Sequence, residues 1–472
     1  TTSETMANTK SSMFVNTVSL APMVRAGSLP FRTLCLKYGA DLVWGEEIID
    51  KRIIKCTRVV NERLSTIDYN VIGERGKGNV DVLIFRTCER ETGKVIFQLG
   101  TSCPERALIA AKVVEKDVAG IDINMGCPKK FSIQGGMGAA LLSNQDNACQ
   151  IVSNLSRNLS IPVSAKIRIL DSISATIDFM TRLEAAGAAA ITIHLRTKNH
   201  ASQEPAQLDA MSALASSVSI PVIANGDIYT RQDLASVMNL SPRGASGVML
   251  GRPVLLNPSL LRHLRPPINQ PTNTTASSSE RLISKGTTKV DATTIDIDLN
   301  TDCLSIRTVV RDFLHECIRY EPPFQIIKYT IQEMNSQRRH RHEKLELLRE
   351  SGLLFGRLPE YVALSAAGSL SELCKLFDVD LPDYSVDIKS TKRTLTEMRL
   401  KSDELVAAGE SKKNKVEKSS SIAPDSSGDN MDSKSDESGD SGKFDVKLQL
   451  PATDLRCEES YFEGEEVVFM AT

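Results

Sequence analysis

The chain has 472 residues, of which 41% are hydrophobic, enough for two or three globular domains. Its formal net charge is −2, so the whole chain does not have the charge of a nucleic-acid-binding protein, although an acidic tail can mask a basic face. No apolar run reaches about 18 residues and the N-terminus is polar, so we expect neither a transmembrane helix nor a signal peptide. The ten cysteines form no CxxC pair, which argues against a zinc site or a disulfide framework and favours a reducing compartment.

Short β-rich runs alternate with helical patterns from about Val18 to Leu260. This alternation predicts a parallel sheet, and eight such units in roughly 250 residues predict a (β/α)₈ TIM barrel, an α/β fold. A doubly wound sheet is the competing fold, but no GxGxxG sequence opens the first unit. The predicted strands are Thr17–Pro22, Asp41–Gly45, Lys94–Leu99, Gly120–Asn124, Pro162–Arg168, Ala190–Leu195, Pro221–Asn225 and Ser246–Leu250.

Composition changes along the chain predict five segments. We expect a disordered N-terminus over 1–16, the barrel over 17–265, with a hairpin within 61–92, and a Pro-, Ser- and Thr-rich linker over 266–303. Helical periodicity predicts a small helical domain over 304–384. The region 385–472 is rich in charged residues and serine, and we expect it to be a mostly disordered acidic tail.

Polar residues and glycines stand at the carboxyl ends of most predicted strands, which is where TIM barrels place functional residues. Each residue alone has an ordinary explanation, such as a satisfied core amide, a structural histidine or a simple turn. Together they favour a ligand site. The ring in chain order is Pro22-Met23, Glu46-Glu47, Gln98, Asn124, Lys166, His194, Asn225-Gly226-Asp227 and Gly251-Arg252.

An anion is the expected ligand of this ring. Gly226 and Gly251 follow the last two strands, where barrels often bind phosphate and where glycine allows close backbone approach. Lys166 lies in a strand that should be buried on both faces, so its ammonium needs an anionic partner unless the side chain reaches solvent at the barrel mouth.

Cys127 is the candidate reactive residue. It follows Asn124-Met125-Gly126, precedes Pro128-Lys129-Lys130, and is followed by the glycine-rich stretch Gln134–Gly138. A small buried hydrophobic role is the common alternative for a free cysteine. Cys103 is the nearest rival, but no glycine-rich loop follows it.

Seven sequence elements in this order resemble the tRNA-dihydrouridine synthases, and the Cys-Pro-Lys-Lys-Phe-Ser run resembles their eukaryotic type-2 branch. The elements are Leu20-Ala21-Pro22-Met23, Gln98-Leu99-Gly100, Asn124–Lys129, Ala165–Arg168, Ile193–Thr197, Ile223–Asp227 and Gly251-Arg252. The resemblance implies FMN-dependent reduction of a D-loop uridine, at about position 20 of tRNA, after the base has been pulled from the folded RNA. NADPH is the implied reductant, tRNA the partner, a monomer the expected state, and the cytoplasm the location, with a nuclear or mitochondrial pool left open.

The resemblance also implies roles for individual residues. Cys127 is the implied general acid, and Asn124 and Arg196 are the implied substrate contacts. No metal is implied. The implied flavin contacts are Pro22, Met23, Val24, Gln98, Lys166, His194, Asn225, Gly226, Asp227, Gly251 and Arg252.

The chain departs from the family pattern at two places. The sixth strand ends in His194-Leu195-Arg196 where the family commonly has His-Gly-Arg, and 443–472 is too short for the double-stranded-RNA-binding domain of animal type-2 enzymes. Two other functions therefore stay open: an FMN barrel oxidoreductase acting on a small pyrimidine, and a non-catalytic RNA-binding barrel.

Overall fold

A computed structural model describes residues 10–71, 81–200, 204–264, 303–335, 348–355 and 358–381. Nearly all of the predicted linker 266–303, the basic run Arg338–His342 and the predicted tail 385–472 lie outside these residues. All the described residues belong to one unit, Thr1–Asp383.

The described part of the chain contains two sheets and a series of helices. The strands are β1 (Thr17–Leu20), β2 (Leu42–Trp44), β3 (Ile48–Ile49), β4 (Thr57–Asn61), β5 (Thr66–Val71), β6 (Val82–Cys88), β7 (Val95–Gly100), β8 (Gly120–Asn124), β9 (Val163–Arg168), β10 (Ala190–His194), β11 (Val222–Asn225) and β12 (Gly247–Leu250). The helices are α1 (Leu29–Lys37), α2 (Asp50–Ile53), α3 (Pro104–Val114), α4 (Lys130–Gln134), α5 (Gln145–Asn158), α6 (Ile173–Ala185), α7 (Met211–Ser216), α8 (Arg231–Met238), α9 (Arg252–Leu256), α10 (Leu260–Leu264), α11 (Ile306–Tyr320), α12 (Phe324–Met334), α13 (Tyr361–Ala366) and α14 (Leu370–Leu376). None of these described helices is both long and apolar enough to cross a bilayer.

Eight parallel strands close into a barrel, which confirms the predicted TIM-barrel fold. They pair in the order β1, β2, β7, β8, β9, β10, β11 and β12, and β12 pairs back with β1. All eight predicted strands are present at the expected positions. The strands form because short β-branched and apolar runs are buried on both faces, between the barrel interior and the outer helices.

A three-stranded antiparallel sheet of β4, β5 and β6 stands in place of the predicted hairpin. The hairpin prediction missed β4, Thr57–Asn61, because four of its five residues are exposed and show no apolar alternation. The sheet is joined to the barrel through Phe85, whose ring lies edge-on to Phe97 of β7 with centroids 5.1 Å apart.

The helical segment packs directly against the barrel through α11 and α1. Phe313 meets Phe31 edge-on at 6.2 Å, Thr33 Oγ1 donates to Glu316 at 2.9 Å, and the Tyr38 hydroxyl donates to Asp312 at 2.6 Å. At the other end, within the predicted disordered stretch 1–16, Phe14 is fully buried beside Trp44. Residues that precede the eight barrel strands in the chain and residues that follow them therefore both pack against the barrel.

Candidate active site

The carboxyl ends of the barrel strands bring the predicted polar residues to one mouth. Lys166 of β9 donates from Nζ to Asn225 Oδ1 of β11 at 3.1 Å, and Asn225 Nδ2 donates to the Met249 carbonyl of β12 at 2.7 Å. His194 ends β10, between these strands. The structure therefore places together three residues that the sequence separates by up to 59 positions.

Positive charge accumulates around His194. Burial lowers the pKa of the imidazole well below its usual range, and the cationic side chains of Lys166, Arg168, Arg196 and Arg252 lower it further. The imidazole is therefore neutral at physiological pH. Burial, followed by the charge of Arg168, lowers the pKa of Lys166 from 10.5 to about 8. This surplus of cations makes the mouth suitable for an anion.

Asp227 is the carboxylate that holds the arginines. It forms an ion pair with Arg196, accepts from the Ala206 N–H at 2.8 Å, and lies 3.4 Å from Arg252 Nη2. Burial opposes ionisation of Asp227, but the Arg196 hydrogen bond and the nearby cations bring its pKa below the ordinary value. The backbone is left-handed at Gly226 (φ +128°) and Asp227 (φ +51°), which turns the chain sharply after β11.

The Arg196 side chain is more buried than expected for a residue that contacts a substrate at the protein surface. Its side chain is 3% exposed, and its Nε donates to the Glu204 carbonyl. Its Nη1 is buried and has no hydrogen-bond partner among the described residues. The structure therefore gives Arg196 a definite partner, Asp227, while its predicted substrate contact stays a prediction.

The ends of β1 and β12 meet next to the end of β11. A Cβ atom added to Gly251 would lie 3.5 Å from Ala21 Cβ and 3.7 Å from Met23 Sδ, so these turns are in van der Waals range. Pro22 and Met23 are half-buried, and Val24 is exposed. Gln98 is buried, and its amide donates to Asp122 at 2.8 Å.

Cys127 sits on a loop that is fixed from two sides. Asn124 Oδ1 accepts from the N–H groups of Gly126 at 3.0 Å and Cys127 at 3.1 Å. The Cys127 carbonyl accepts from Ala139 N at 2.9 Å. Gly138 has φ +57°, and a Cβ atom there would come within 2.7 Å of the Cys127 carbonyl oxygen, so only glycine fits this close approach.

The Cys127 thiol is partly exposed and protonated in the neutral range. Burial raises the pKa of the thiol and the charge of Glu47 adds to this, while the backbone N–H and the charge of Lys129 lower it. A protonated thiol on an accessible, rigid loop suits proton donation rather than nucleophilic attack. Cys103 lies at the start of α3 and contacts the Glu105 carboxylate at 3.1 Å.

Two further residues of the site, Asp122 and Arg168, had no predicted role. Asp122 is fully buried and accepts from Gln98 and from Ser164 Oγ at 2.7 Å. Arg168 Nε donates to the Gly126 carbonyl at 2.8 Å, which ties the cysteine loop to β9. The sequence could have indicated both residues, because side chains two positions apart on a strand point to the same face. Asp122 lies two positions before Asn124, and Arg168 lies two positions after Lys166.

No group of three or more His, Cys, Asp or Glu side chains suited to a metal occurs within the described ranges. The ring at the barrel mouth offers cations and amides, which bind anions and planar heterocycles.

Comparison with known proteins identifies the family. The sequence profile described as "Dihydrouridine synthase (Dus)" matches residues 19–349. The tRNA-dihydrouridine(20) synthase (NAD(P)+) of Schizosaccharomyces pombe is 40% identical over 259 residues, 53% of this chain and 52% of that protein. The Saccharomyces cerevisiae protein of the same name is 43% identical over 220 residues, 45% of this chain and 57% of that protein. A human protein named tRNA-dihydrouridine(20a/20b) synthase (NAD(P)+)-like is 31% identical over 243 residues, 51% of this chain and 69% of that protein.

The chain spans a little over half the length of the two yeast relatives. The profile, in contrast, runs from the first barrel strand past α11 and α12, the first two helices after α10, and covers more than half of this chain. The chain therefore belongs to the dihydrouridine synthase (Dus) family.

Proposed function

We propose that this protein reduces a D-loop uridine of tRNA, at the position 20 named in its relatives, to 5,6-dihydrouridine, with FMN as cofactor and NADPH as reductant. The observation that carries the proposal is the joining of two features at one barrel mouth. A cation-rich pocket lies beside a partly exposed cysteine whose loop is tied to that pocket by Arg168. An anionic redox cofactor and a proton donor are the two groups that this reduction requires.

FMN fits the residues that are present. Lys166, Arg168, Arg196 and Arg252 all lower the pKa of His194, and Asp227 is the carboxylate that pairs with two of them. His194 Nδ1 is buried and, within the described residues, has no hydrogen-bond partner. A ligand with a phosphate and a hydrogen-bonding ring would satisfy both conditions. When bound, FMN supplies the hydride for the uracil ring.

The residues divide into two groups around such a ligand. Asn225 ends β11 and is followed by Gly226 and Asp227, while Gly251 follows β12 and Arg252 begins α9. We assign these five residues to the phosphate. Gln98, Lys166 and His194 belong to β7, β9 and β10 and are assigned to the ring, and Pro22, Met23 and Val24, which follow β1, are assigned to its edge.

Cys127 completes the reduction. Addition of hydride at C6 of the uracil places negative charge on C5 and the adjacent carbonyl, and the Cys127 S–H bond breaks as its proton passes to C5. The raised pKa of the thiol keeps this proton in place until it is needed. The resulting thiolate lies near the ammonium groups of Lys129 and Lys166, which stabilise it. We assign Asn124 and Arg196 to uracil contacts within the same pocket.

A folded RNA can present one unpaired base to this mouth. Phe131 of α4 is 46% exposed, and the adjacent Lys129 and Lys130 are exposed on the same segment as Cys127. An exposed aromatic ring stacks on a neighbouring base, and lysines pair with phosphates. Phe131, Lys129 and Lys130 therefore support an RNA substrate over a free pyrimidine, because a free pyrimidine has neither a neighbouring base nor a phosphate for these exposed side chains to bind.

The test compares substrates. Purified protein is incubated with NADPH and either tRNA lacking dihydrouridine, free uridine or orotate, and product is mapped by mass spectrometry. The proposal expects a flavin absorption spectrum and dihydrouridine at one D-loop position. Turnover of orotate or uridine without tRNA reduction would support a small-molecule oxidoreductase. A protein that binds tRNA but no FMN would overturn the enzymatic proposal.

A further inference from the structure

Glu47 is a charged residue of the mouth that the proposed reaction does not yet use. It lies between β2 and β3, and β3 pairs with the end of β7 in the register Ile49 to Gly100. Its carboxyl group lies against Gly100 at the end of β7, and β7 pairs with β8 in the register Leu99 to Ile123, which places the carboxyl group beside the Asn124 side chain. Its charge also acts on Cys127. One carboxylate oxygen, Oε1, is buried without a hydrogen-bond partner among the described residues.

The Asn124 side chain connects Glu47 to the cysteine loop. Asn124 Oδ1 is occupied by the N–H groups of Gly126 and Cys127, so its amide N–H₂ is the part that faces the Glu47 carboxyl group. An Asn side chain can rotate by half a turn and exchange its donor and acceptor ends. A carboxylate, which only accepts hydrogen bonds, fixes the orientation that keeps Oδ1 on the loop.

Gly100 provides the space for this carboxylate. A Cβ atom added at Gly100 would lie 2.7 Å from Glu47 Oε1 and 3.3 Å from Glu47 Cδ. The obstructed atoms are the far end of a flexible side chain, so a methyl group there would displace the carboxylate and leave the fold in place. The sequence element Gln98-Leu99-Gly100 therefore contributes to the cysteine site through Glu47.

We propose that Glu47 is a positioning residue for Cys127: its carboxylate orients Asn124, which fixes the cysteine loop, and its negative charge offsets the cations around the thiol. The inference rests on the proposed role of Cys127 as proton donor. The other charged groups that act on this thiol are Lys129 on its own loop and Lys166 and Arg168 on β9. All three are cations that favour the thiolate, so Glu47 is the charge that opposes them.

Thiol reactivity tests the proposal independently of tRNA reduction. The rate of iodoacetamide alkylation of Cys127, followed peptide by peptide in the full-length FMN-bound protein from pH 6 to 10, reports its thiolate fraction. Glu47→Gln keeps a hydrogen-bond acceptor for Asn124 and removes the charge. We expect the alkylation profile to move to lower pH by about half to one pKa unit, which is about a three- to tenfold faster reaction at pH 8. Glu46→Gln is the matched control, since Glu46 accepts from the Arg25 backbone N–H at 3.0 Å.

Gly100→Ala is the second variant, and it leaves Glu47 in the chain. It should move the Cys127 profile in the same direction as Glu47→Gln, because it pushes the carboxylate aside. Profiles of both variants that coincide with the wild type and with Glu46→Gln would overturn the proposal, whatever their activity on tRNA. A shifted profile in a protein that reduces no tRNA would instead support the role of Glu47 and refute the proposed function.

Discussion

Replacing Lys166 by methionine should separate the contribution of this lysine to FMN binding from its unfavourable effect on the free energy of unfolding. Lys166 Nζ is 3.1 Å from Asn225 Oδ1, and the charge of Arg168 acts on it more strongly than the charge of Asp122. Burial and the Arg168 charge lower its pKa from 10.5 to about 8. The charged lysine is therefore less stable in the folded protein than in the unfolded chain.

The magnitude follows from the two pKa values. A fall from 10.5 to about 8 corresponds to about 3–4 kcal/mol at roughly 1.4 kcal/mol per pKa unit. Losing the hydrogen bond to Asn225 costs about 1 kcal/mol in return. We expect FMN-free Lys166→Met to be more stable than the wild type by about 2–3 kcal/mol at pH 7, and to bind FMN at least about tenfold more weakly because one charge-assisted contact is lost.

The pH dependence gives the sign of the effect. Between pH 8 and 10.5 the unfolded chain binds more protons at Lys166 than the folded protein does. Wild-type stability should therefore rise through this window relative to the variant, and the gain from Lys166→Met should shrink. Urea unfolding of FMN-free protein at pH 7 and pH 10 measures this, with the exposed Lys129→Met as control. A variant less stable than the wild type at pH 7, or a gain that grows with pH, would refute the reasoning.

Two further substitutions test the cation pocket and the RNA-facing rim. Asp227→Asn should lower the melting temperature by several degrees, since breaking the buried pair with Arg196 costs about 3 kcal/mol, and added FMN should recover part of the loss; an unchanged melting curve would contradict the assigned pairing. Phe131→Ala should raise KM for tRNA about tenfold with little change in kcat, because base stacking is worth about 1–3 kcal/mol. Ile133→Ala on the same helix is the control, and equal KM values for both variants would argue against stacking.

The barrel was predictable because its strands carry the signal themselves. Each of the eight is a short apolar run between turn residues, and parallel strands necessarily bring their carboxyl ends to one edge. This is why Lys166 and Asn225 were expected near one another before any distance was known. The strand β4 was missed because its exposed residues, such as Arg58 and Val60, show no buried face.

The parts of the site that sequence could not supply depend on contacts between distant residues. Nothing in the residues around Gly100 indicates that its missing side chain leaves room for Glu47, 53 positions earlier in the chain, since this requires the pairing of β3 with β7. Likewise, the pairing of Arg196 with Asp227 depends on two loops that meet only in the folded barrel. The helix α4 was also unforeseen, because the glycines that follow it resemble an open loop.

The most direct test of the central claim compares two cysteine variants in one assay. Cys127→Ala and Cys103→Ala are purified with bound flavin, and dihydrouridine formation in unmodified tRNA is measured with NADPH. The account predicts that both variants retain FMN, that Cys103→Ala matches the wild type, and that Cys127→Ala loses about 10²- to 10⁴-fold in turnover, the usual contribution of a general acid. A Cys127→Ala variant with wild-type turnover would contradict the assignment of Cys127 as the proton donor.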